Sequence, residues 1–445
     1  MSPPPSAWNR SLYIARVFQC SWLGAILLSL HVTTGFLTAN NQCFDVCDCQ
    51  SVNIECGSRG LQSFPDFVLS VVPTVPLYLN LQRNKLTEIP FGIFMNLLFP
   101  PGFRGLNLYL DHNQISRIHN GAFLGLENVT MRLNLGHNRL SSISYEFTRL
   151  RGLQSLRIEK NPLTVAGIPD GVIRNMFYND IYTIALSSYD LLKKVMKNGR
   201  NKIDHLHIYD INETRFDQEL FVKEQHTALH TLTIENCAFS DFSEVLCNLD
   251  LILLSLNMCW NVNDTTLQGC PQNHTVSLKI QDCATTDALD PSAFYNAPVR
   301  DLVLTGNINL VPRSLFNHLP NLKTLHLKGH MQRIQKDDFE DLTELQFLEI
   351  NSNNTITFVD NEAFKTNLKL NQLQLSYSSL NNLSPSIKNL TLLETLSLPD
   401  MTCSCATMGA LKGGNYSSMY IYGDCKNIPG QSIKSYLNND ITACP

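Results

Sequence analysis

The string LNLQRNKL, residues 79–86, decides the fold because the chain repeats it. Close copies are LYLDHNQI (108–115), LNLGHNRL (133–140) and LRIEKNPL (156–163). Weaker copies, which keep the alternating apolar residues, begin at positions 184, 206, 232, 254, 278, 302, 325, 348, 373 and 396. The fourteen copies follow one another in steps of 22 to 29 residues. Such a period, with a short alternating apolar run in each copy, indicates one strand per repeat and a core shared between stacked repeats.

The position that Asn84 holds in the first copy carries a second regularity. Asn or Cys fills it in nine copies, namely Asn84, Asn113, Asn138, Asn161, Cys237, Cys259, Cys283, Asn307 and Asn353. We predict that this side chain hydrogen-bonds to backbone groups where the strand turns, and that the three cysteines are buried free thiols. The exceptions are Tyr189, Ile211, His330, Ser378 and Met401, and the apolar Ile211 and Met401 predict local irregularity.

Across about residues 75–402 the pattern resembles the leucine-rich repeat, L-x-x-L-x-L-x-x-N/C-x-L. The resemblance implies an α/β solenoid: a horseshoe with a parallel concave β-sheet of about 14 strands. Segments such as NGAFLGL (120–126) and RSLFNHL (313–319) are similar to the convex-side core of that family.

Four cysteines precede the repeats in CFDVCDCQSVNIEC (43–56), and Cys403, Cys405, Cys425 and Cys444 follow them. A stacked array exposes its core at both ends, so each end needs a lid. Both sets resemble the disulfide caps of secreted leucine-rich repeat proteins such as Slit, the small leucine-rich proteoglycans and Toll-like receptors. The resemblance implies caps at residues 40–74 and 403–445. It also implies the pairs Cys43–Cys49, Cys47–Cys56, Cys403–Cys425 and Cys405–Cys444.

A zinc site is the weaker interpretation of these cysteines, because zinc ligands usually form well-separated C-x2-4-C pairs in reducing compartments. Two further cysteines, Cys247 and Cys270, lie 10 and 11 residues after the Asn84-like position of adjacent repeats. Neighbouring strands are about 4.8 Å apart, which suits the roughly 4.4–6.8 Å α-carbon separation of a disulfide. We therefore predict a Cys247–Cys270 bridge.

The beginning of the chain predicts export. Arg10 and Arg16 precede an apolar run, residues 17–30, which is shorter than the roughly 18–20 residues of a membrane span. We predict a cleaved signal peptide at 1–39, with a retained signal anchor as the alternative. With no second long apolar segment, we expect a secreted, extracellular protein without a membrane anchor. We expect N-glycosylation at Asn128, Asn212, Asn263, Asn273, Asn382, Asn389 and Asn415, whereas Asn353 is expected to be too buried.

Composition and motifs argue against several functions. The formal charge is −5 and no broad basic field exists, which argues against a nucleic acid partner. Residues 191–202 are basic and fit a solvated convex helix or, alternatively, a heparin-type patch. No catalytic motif or metal-ligand spacing stands out, so we expect no enzyme activity, cofactor or metal. His205, His207, Tyr209 and His230 form either ordinary polar surface or a pH-sensitive or metal-assisted contact.

The residues between the strand leucines point to the concave face, which solenoids use for binding. The candidates are Tyr78, Arg83, Tyr109, Asp111, Arg132, Arg157, Lys160, His205, His207, Tyr209, His230, Lys279, His326, Phe347 and Tyr377. Mixed charge with aromatic residues and arginine suits an extracellular protein or glycan partner. Alternatives are a non-catalytic stabilising subunit of a secreted enzyme complex and a structural matrix component. The absence of any Ser-Gly dipeptide argues against a core protein that carries glycosaminoglycan.

Overall fold

The alternating apolar runs form short strands, one in each repeat. The computed structural model describes residues 46–50, 52–67, 75–97, 99, 103–178, 181–198, 202–217, 219–222, 225–257, 267, 275–283 and 291–444. All of these belong to one unit, Asn41–Pro445. The predicted signal peptide, Cys43, Cys259, Cys270, Asn263 and Asn273 lie outside the described residues.

The strands, in chain order, are β1 Asp48–Gln50, β2 Asn53–Glu55, β3 Leu77–Asn80, β4 Glu88–Ile89, β5 Arg104–Tyr109, β6 Arg117–Ile118, β7 Thr130–Asn134, β8 Leu153–Arg157, β9 Thr183–Leu186, β10 His205–Tyr209, β11 Thr231–Glu235, β12 Leu253–Asn257, β13 Val276–Cys283, β14 Val299–Gly306, β15 Thr324–Lys328, β16 Arg333–Ile334, β17 Phe347–Asn351, β18 Phe358–Val359, β19 Gln372–Tyr377, β20 Thr395–Ser397 and β21 Tyr420–Tyr422. The helices are α1 Asp170–Tyr178, α2 Tyr189–Asn198, α3 Ser243–Asn248, α4 Arg313–Phe316, α5 Cys405–Met408 and α6 Ile433–Ser435.

One sheet joins all the repeats. It has seventeen described strands; β1, β2 and β21 lie outside the repeats, so fourteen strands come from the fourteen copies of the motif. The β1–β2 pair is antiparallel, whereas the repeat strands pair in parallel with the same motif position side by side, as in Leu79 opposite Leu108 and Leu108 opposite Leu133. Two small sheets, β4–β6 and β16–β18, lie outside it. The predicted solenoid with about 14 parallel strands is confirmed.

Leucines and phenylalanines fill the interior of the solenoid. The strand leucines, such as Leu79 and Leu108, are buried. Behind them, the rings of Phe67 and Phe94 stack with centroids 5.7 Å apart, and Phe94 stacks on Phe123 at 6.4 Å. A similar stack follows Phe316, Phe339 and Phe364 at 6.2 Å spacing. Between these two stacks, Phe216 stacks on the buried Phe239 with centroids 3.9 Å apart, and α2 adds buried apolar residues such as Leu192 and Val195.

The asparagines of the first four repeats bind the turns together. Asn113 Nδ2 donates to the carbonyls of Leu81 and Leu110, both at 3.0 Å, and its Oδ1 accepts the Leu86 N–H at 3.1 Å. Asn84, Asn138 and Asn161 make the same kind of bonds one repeat away. Each bond satisfies a buried backbone group that would otherwise cost about 1–3 kcal/mol. The predicted role of the asparagine is confirmed for these four repeats.

Three later repeats depart from the predicted alignment. Asn307, His330 and Asn353 are exposed, while their neighbours Ile308, Met331 and Ser352 are buried. The expectation that Asn353 is buried is therefore wrong. In its repeat, Thr355 Oγ1, two residues later, donates to the carbonyls of Ser352 at 2.7 Å and Met331 at 2.5 Å. Thr355 thus makes the pair of bonds that asparagine makes in the first repeats.

Cys237 fills the same turn position as a buried free thiol. Its sulfur lies 3.4 Å from the Ile211 nitrogen and 3.2 Å from the Glu235 carbonyl oxygen. Burial raises the pKa of the thiol to about 12. Cys259 and the side chain of Cys283 lie outside the part of the chain that the structure describes. Of the three expected free thiols, the structure therefore shows Cys237.

Disulfide bonds crosslink the caps at both ends of the sheet. Cys47 is bonded to Cys56, Cys403 to Cys425 and Cys405 to Cys444, which are pairs that the resemblance implies. Cys49 and Cys247 are also disulfide-bonded. Strands β2 and β21 pair with β3 and β20 and so extend the sheet into each cap. None of the helices in the described segments has the length and apolar character needed to cross a bilayer.

Candidate binding surface

The predicted concave residues differ widely in exposure. Tyr78, Arg83, Arg132 and Tyr377 are exposed. The half-buried candidates are Tyr109, Arg157, Lys160, His205, His207, His230, Lys279, His326 and Phe347. Asp111 and Tyr209 are buried, although both stand at positions that point away from the leucine core. Burial at such positions means that other polar side chains cover them.

Arg157 organises the middle of the concave face. Its Nε and Nη2 donate to Glu159 Oε1 at 3.1 and 2.8 Å, and Nη2 also donates to the Tyr209 hydroxyl at 2.7 Å. The guanidinium carbon lies 5.5 Å from the centroid of the Tyr209 ring. Arg157 therefore reaches from β8 across β9 to β10. The residue beneath it on β9 is Ala185, whose small side chain leaves room for this span.

Glu159 was not a sequence candidate, because its place two residues after Arg157 resembles an ordinary solvated turn. The structure buries it to 3% exposure, and its Oε2 has no hydrogen-bond partner among the described groups. The residue at its position in the preceding repeat is Gly136, where an added Cβ would lie 2.6 Å from Glu159 Oε1. A glycine at that position in one repeat, followed by an Arg-x-Glu in the next, is the signal that could have found this pair.

A second ion pair continues the arrangement. Lys160 Nζ lies 3.1 Å from Asp210 Oδ2, and Asn236 Nδ2 donates to Asp210 Oδ1 at 2.6 Å. Lys160, Asp210 and Asn236 all have positive φ, between 51° and 54°, which turns their side chains along one edge of the sheet. We call Arg157, Glu159, Lys160, Tyr209 and Asp210 the central cluster. It holds two positive and two negative groups and spans three strands.

The electrostatics of the cluster follow from burial. Burial alone lowers the pKa of Arg157, but Glu159 and Tyr209 outweigh it and leave the pKa raised. Burial raises the pKa of Tyr209, against the opposing influence of Arg157. Both side chains therefore keep their protons at physiological pH, so that Arg157 donates as a cation to Tyr209, which accepts as a neutral phenol.

The structure divides the predicted group of His205, His207, Tyr209 and His230. Tyr209 belongs to the central cluster, whereas His230 Nδ1 lies 2.7 Å from Asp204 Oδ1 and His205 Nε2 lies 3.3 Å from Asp204 Oδ2. Across the residues that the structure describes, no three His, Cys, Asp or Glu side chains are placed to hold a metal ion. Nothing in this arrangement supports the metal-assisted contact.

His207 faces Arg157 across β9 and is held neutral. Burial, then the nearby charge of Arg157, then His205 lower its pKa to about 4. His137, whose ring stacks on His112 with centroids 3.9 Å apart, also has a lowered pKa, through burial and then His112. Both imidazoles are therefore uncharged at neutral pH.

This burial predicts acid destabilisation. The unfolded chain protonates His207 near pH 6.5 but the folded chain only near pH 4, so the unfolded state binds more protons between these values. Stability should fall as the pH drops from 6.5 to 4, by an amount on the order of 2 kcal/mol. Urea unfolding of the wild type and His207→Gln across this window measures it. The variant should show a flatter profile, and identical profiles would contradict the assignment to His207.

Farther along the sheet the candidates form smaller groups. His326 Nδ1 lies 2.7 Å from Glu349 Oε2, and its ring centroid lies 4.7 Å from that of Phe347. Lys279 lies on β13, between Ser255 of β12 and Val303 of β14 in the sheet register. The C-terminal third of the sheet presents fewer charged side chains than strands β8 to β10.

The sequons that the structure describes differ in exposure, and Asn212 lies two residues from Asp210 of the central cluster. Asn128, Asn212, Asn389 and Asn415 are exposed, as is Asn353. Asn382 is half-buried; its Nδ2 donates to the Val359 carbonyl at 2.9 Å and its Oδ1 accepts from the Val359 nitrogen at 3.3 Å. Both polar atoms of the Asn382 side chain therefore hydrogen-bond to the Val359 backbone.

The basic stretch 191–202 forms most of α2 and is partly neutralised. Lys193 Nζ lies 3.2 Å from Asp190 Oδ1, and Lys194 Nζ lies 2.7 Å from Asp170 Oδ1. Acids thus balance two of its five basic groups, which favours the solvated helix over the heparin-type patch.

Comparisons with known proteins agree with this architecture. The leucine rich repeat family model matches residues 107–163, and the BspA type leucine rich repeat region model matches 209–345 and 287–404. Rabbit (Oryctolagus cuniculus) fibromodulin is 36% identical over 109 residues, which are 23% of this chain and 67% of that sequence. Chicken (Gallus gallus) lumican is 33% identical over 151 residues, or 33% of this chain and 41% of lumican.

A solved structure shares the fold at lower identity. The crystal structure of a TLR13–ssRNA13 complex superposes with a TM-score of 0.54 and 19% identity, over 85% of this chain and 54% of that one. Fibromodulin and lumican are small leucine-rich proteoglycans, and the relatives found are non-enzymatic repeat proteins.

Proposed function

The chain belongs to the leucine-rich repeat family, and from this premise we propose that it is a secreted protein that binds an extracellular protein through the concave face of its sheet. We propose the corresponding organisation: a signal peptide at 1–39, caps at 40–74 and 403–445, and repeats at 75–402. Disulfides at both ends support an oxidising compartment. The relatives among small leucine-rich proteoglycans support an extracellular role and a protein partner.

The central cluster carries the proposal. Charged side chains on an open face normally lose conformational freedom when a partner binds, which costs affinity. Here Arg157 is fixed by Glu159 and Tyr209, and Lys160 by Asp210, before any partner arrives. A rigid surface with alternating charges favours a folded protein partner whose own charges are arranged in the complementary order. We propose no cofactor, metal or catalytic step for this surface.

Arg132 is the side chain best suited to test the proposal. It is exposed on β7, beside Ser155 of β8 in the sheet register and two residues from Asn134, which faces Arg157. Unlike Arg157 it is not packed against a buried acid, so its replacement leaves the cluster intact. Arg174 is also an exposed arginine, lies on α1 outside the sheet and provides the matched control.

Arg132→Glu should weaken capture of the partner about tenfold, since reversing one interface charge costs on the order of 1.4 kcal/mol or more. The measurement is quantitative mass spectrometry of proteins retained from extracellular fluid by the immobilised glycoprotein. Arg174→Glu should match the wild type. Equal retention by all three proteins would move the interface to the convex side or the loops. Retention of a catalytic chain would instead favour a subunit of a secreted enzyme complex.

A further inference from the structure

The last three strands of the sheet present an uncharged surface on the concave side. Its outward residues are Gln372 and Gln374 on β19, Thr395 and Ser397 on β20, and Tyr420 and Tyr422 on β21. We call these six residues the terminal platform. They carry two amides, two aliphatic hydroxyls and two phenol rings, whereas the central cluster carries four charges.

The sheet register arranges the platform in two parallel rows. Gln372, Thr395 and Tyr420 lie side by side, and Gln374, Ser397 and Tyr422 form the second row. Within a row, residues on neighbouring strands are about 4.8 Å apart, so each row is a continuous strip of polar groups that ends in an aromatic ring. The residues between the rows, such as Leu396, are buried in the core, which fixes the strands beneath the platform.

The two tyrosines at the end of the sheet are largely exposed. Tyr420 is 66% and Tyr422 58% exposed. Exposed apolar surface next to polar groups is typical of a contact surface. β21 pairs with β20 at one side, and the tyrosines stand over the end of the sheet where a bulky ligand can approach.

The charge pattern restricts the ligand. Acidic residues border the platform: Glu349 on β17 faces Gln374 in register and pairs with His326 at 2.7 Å, Glu394 directly precedes Thr395, and Asp424, whose N–H donates to Asp400 Oδ1 at 2.9 Å, follows Tyr422. An anionic ligand group placed on the platform would lose hydration and face these acids. Amides and hydroxyls each offer donors and acceptors together, which matches a ligand rich in hydroxyl groups.

We propose that the terminal platform binds an uncharged oligosaccharide carried by a glycoprotein. A sugar ring has an apolar C–H face, which can cover a tyrosine ring, and hydroxyls at its rim, which can pair with the glutamine amides and Thr395. The glycoprotein as source rests on the function proposed above. One partner would place its protein surface on the central cluster and its glycan on the platform, and the two linked contacts would reinforce each other.

A glycan array tests the platform directly. It carries neutral high-mannose and asialo N-glycans, their sialylated counterparts, heparin oligosaccharides and the neutral polymer dextran. We expect the wild type to bind neutral N-glycans, and Tyr420→Ser/Tyr422→Ser to lose about tenfold in signal. Tyr145→Ser replaces a tyrosine of similar exposure, 60%, outside the sheet and should leave the signal unchanged.

Several outcomes overturn the proposal: no binding to any neutral N-glycan, preference for sialylated or heparin probes, binding to dextran alone, or equal loss in the Tyr145 control. Arg132→Glu separates this inference from the proposed function, because it should retain the full array signal. If capture depends on Arg132 while the array stays silent, the protein-binding function stands and the platform assignment fails. The reverse result supports the platform and removes the role of the central cluster.

Discussion

Arg157→Met is expected to lower the free energy of unfolding by about 3 kcal/mol, because it leaves the Glu159 carboxylate buried without a cation. In the wild type both donors to Glu159 Oε1 come from Arg157, and Oε2 has no partner among the described groups. The Tyr209 hydroxyl loses its donor in the same substitution. Urea unfolding followed by circular dichroism measures the change.

A double variant separates charge from packing. Arg157→Met/Glu159→Leu removes both charges and should recover most of the lost stability, since an apolar pair of similar volume commonly replaces a buried ion pair without loss. Arg132→Met, which changes an exposed arginine on the neighbouring strand, should stay within about 0.5 kcal/mol of the wild type. If the double variant is as unstable as Arg157→Met, the lost stability arises from the packing of the two side chains and not from their charges.

Removing the Cys405–Cys444 disulfide should cost about 4 kcal/mol, because it frees a loop of 39 residues in the unfolded chain. The loss should be greatest at the C-terminal cap, whose buried Met408 and Leu411 cover the end of the repeat core. Hydrogen exchange of Cys405→Ser/Cys444→Ser should show faster exchange in β20 and β21 than in β3 to β8.

The regional pattern is the discriminating observation for this cap. Repeats contact their neighbours alone, so damage at one end weakens with distance along the array. Uniformly faster exchange across all repeats would mean that the array unfolds as one unit. Unchanged exchange in β20 and β21 would mean that packing holds the cap without its staple.

The fold was predictable because its causes are local and recur. Each copy of the motif places Leu at alternate positions, and a period of two can bury one face of a strand in any copy. The asparagine at the turn is equally local, since Asn113 bonds to carbonyls three residues away and in the preceding repeat. Fourteen repetitions of the same local rule leave little choice of architecture.

The parts that could not be predicted depend on relations between repeats. Asn353 looked like a turn asparagine, but Thr355, two residues later, makes the hydrogen bonds of this turn, and the spacing to the next leucine does not reveal this. Glu159 was not among the sequence candidates, because its burial depends on Gly136 in the preceding repeat and on Arg157 covering it. The same dependence explains why Tyr209, an outward residue, is buried under an arginine two strands away.

The buried thiol of Cys237 has a consequence for how the chain matures. Oxidative folding joins cysteines through thiolates, and a thiol with a pKa of about 12 offers one thiolate in roughly a hundred thousand at pH 7. Once its repeat has folded, this sulfur no longer exchanges with the disulfide bonds at either end of the sheet. Burial in its own repeat thus keeps the free Cys237 thiol from exchanging with the described disulfide bonds.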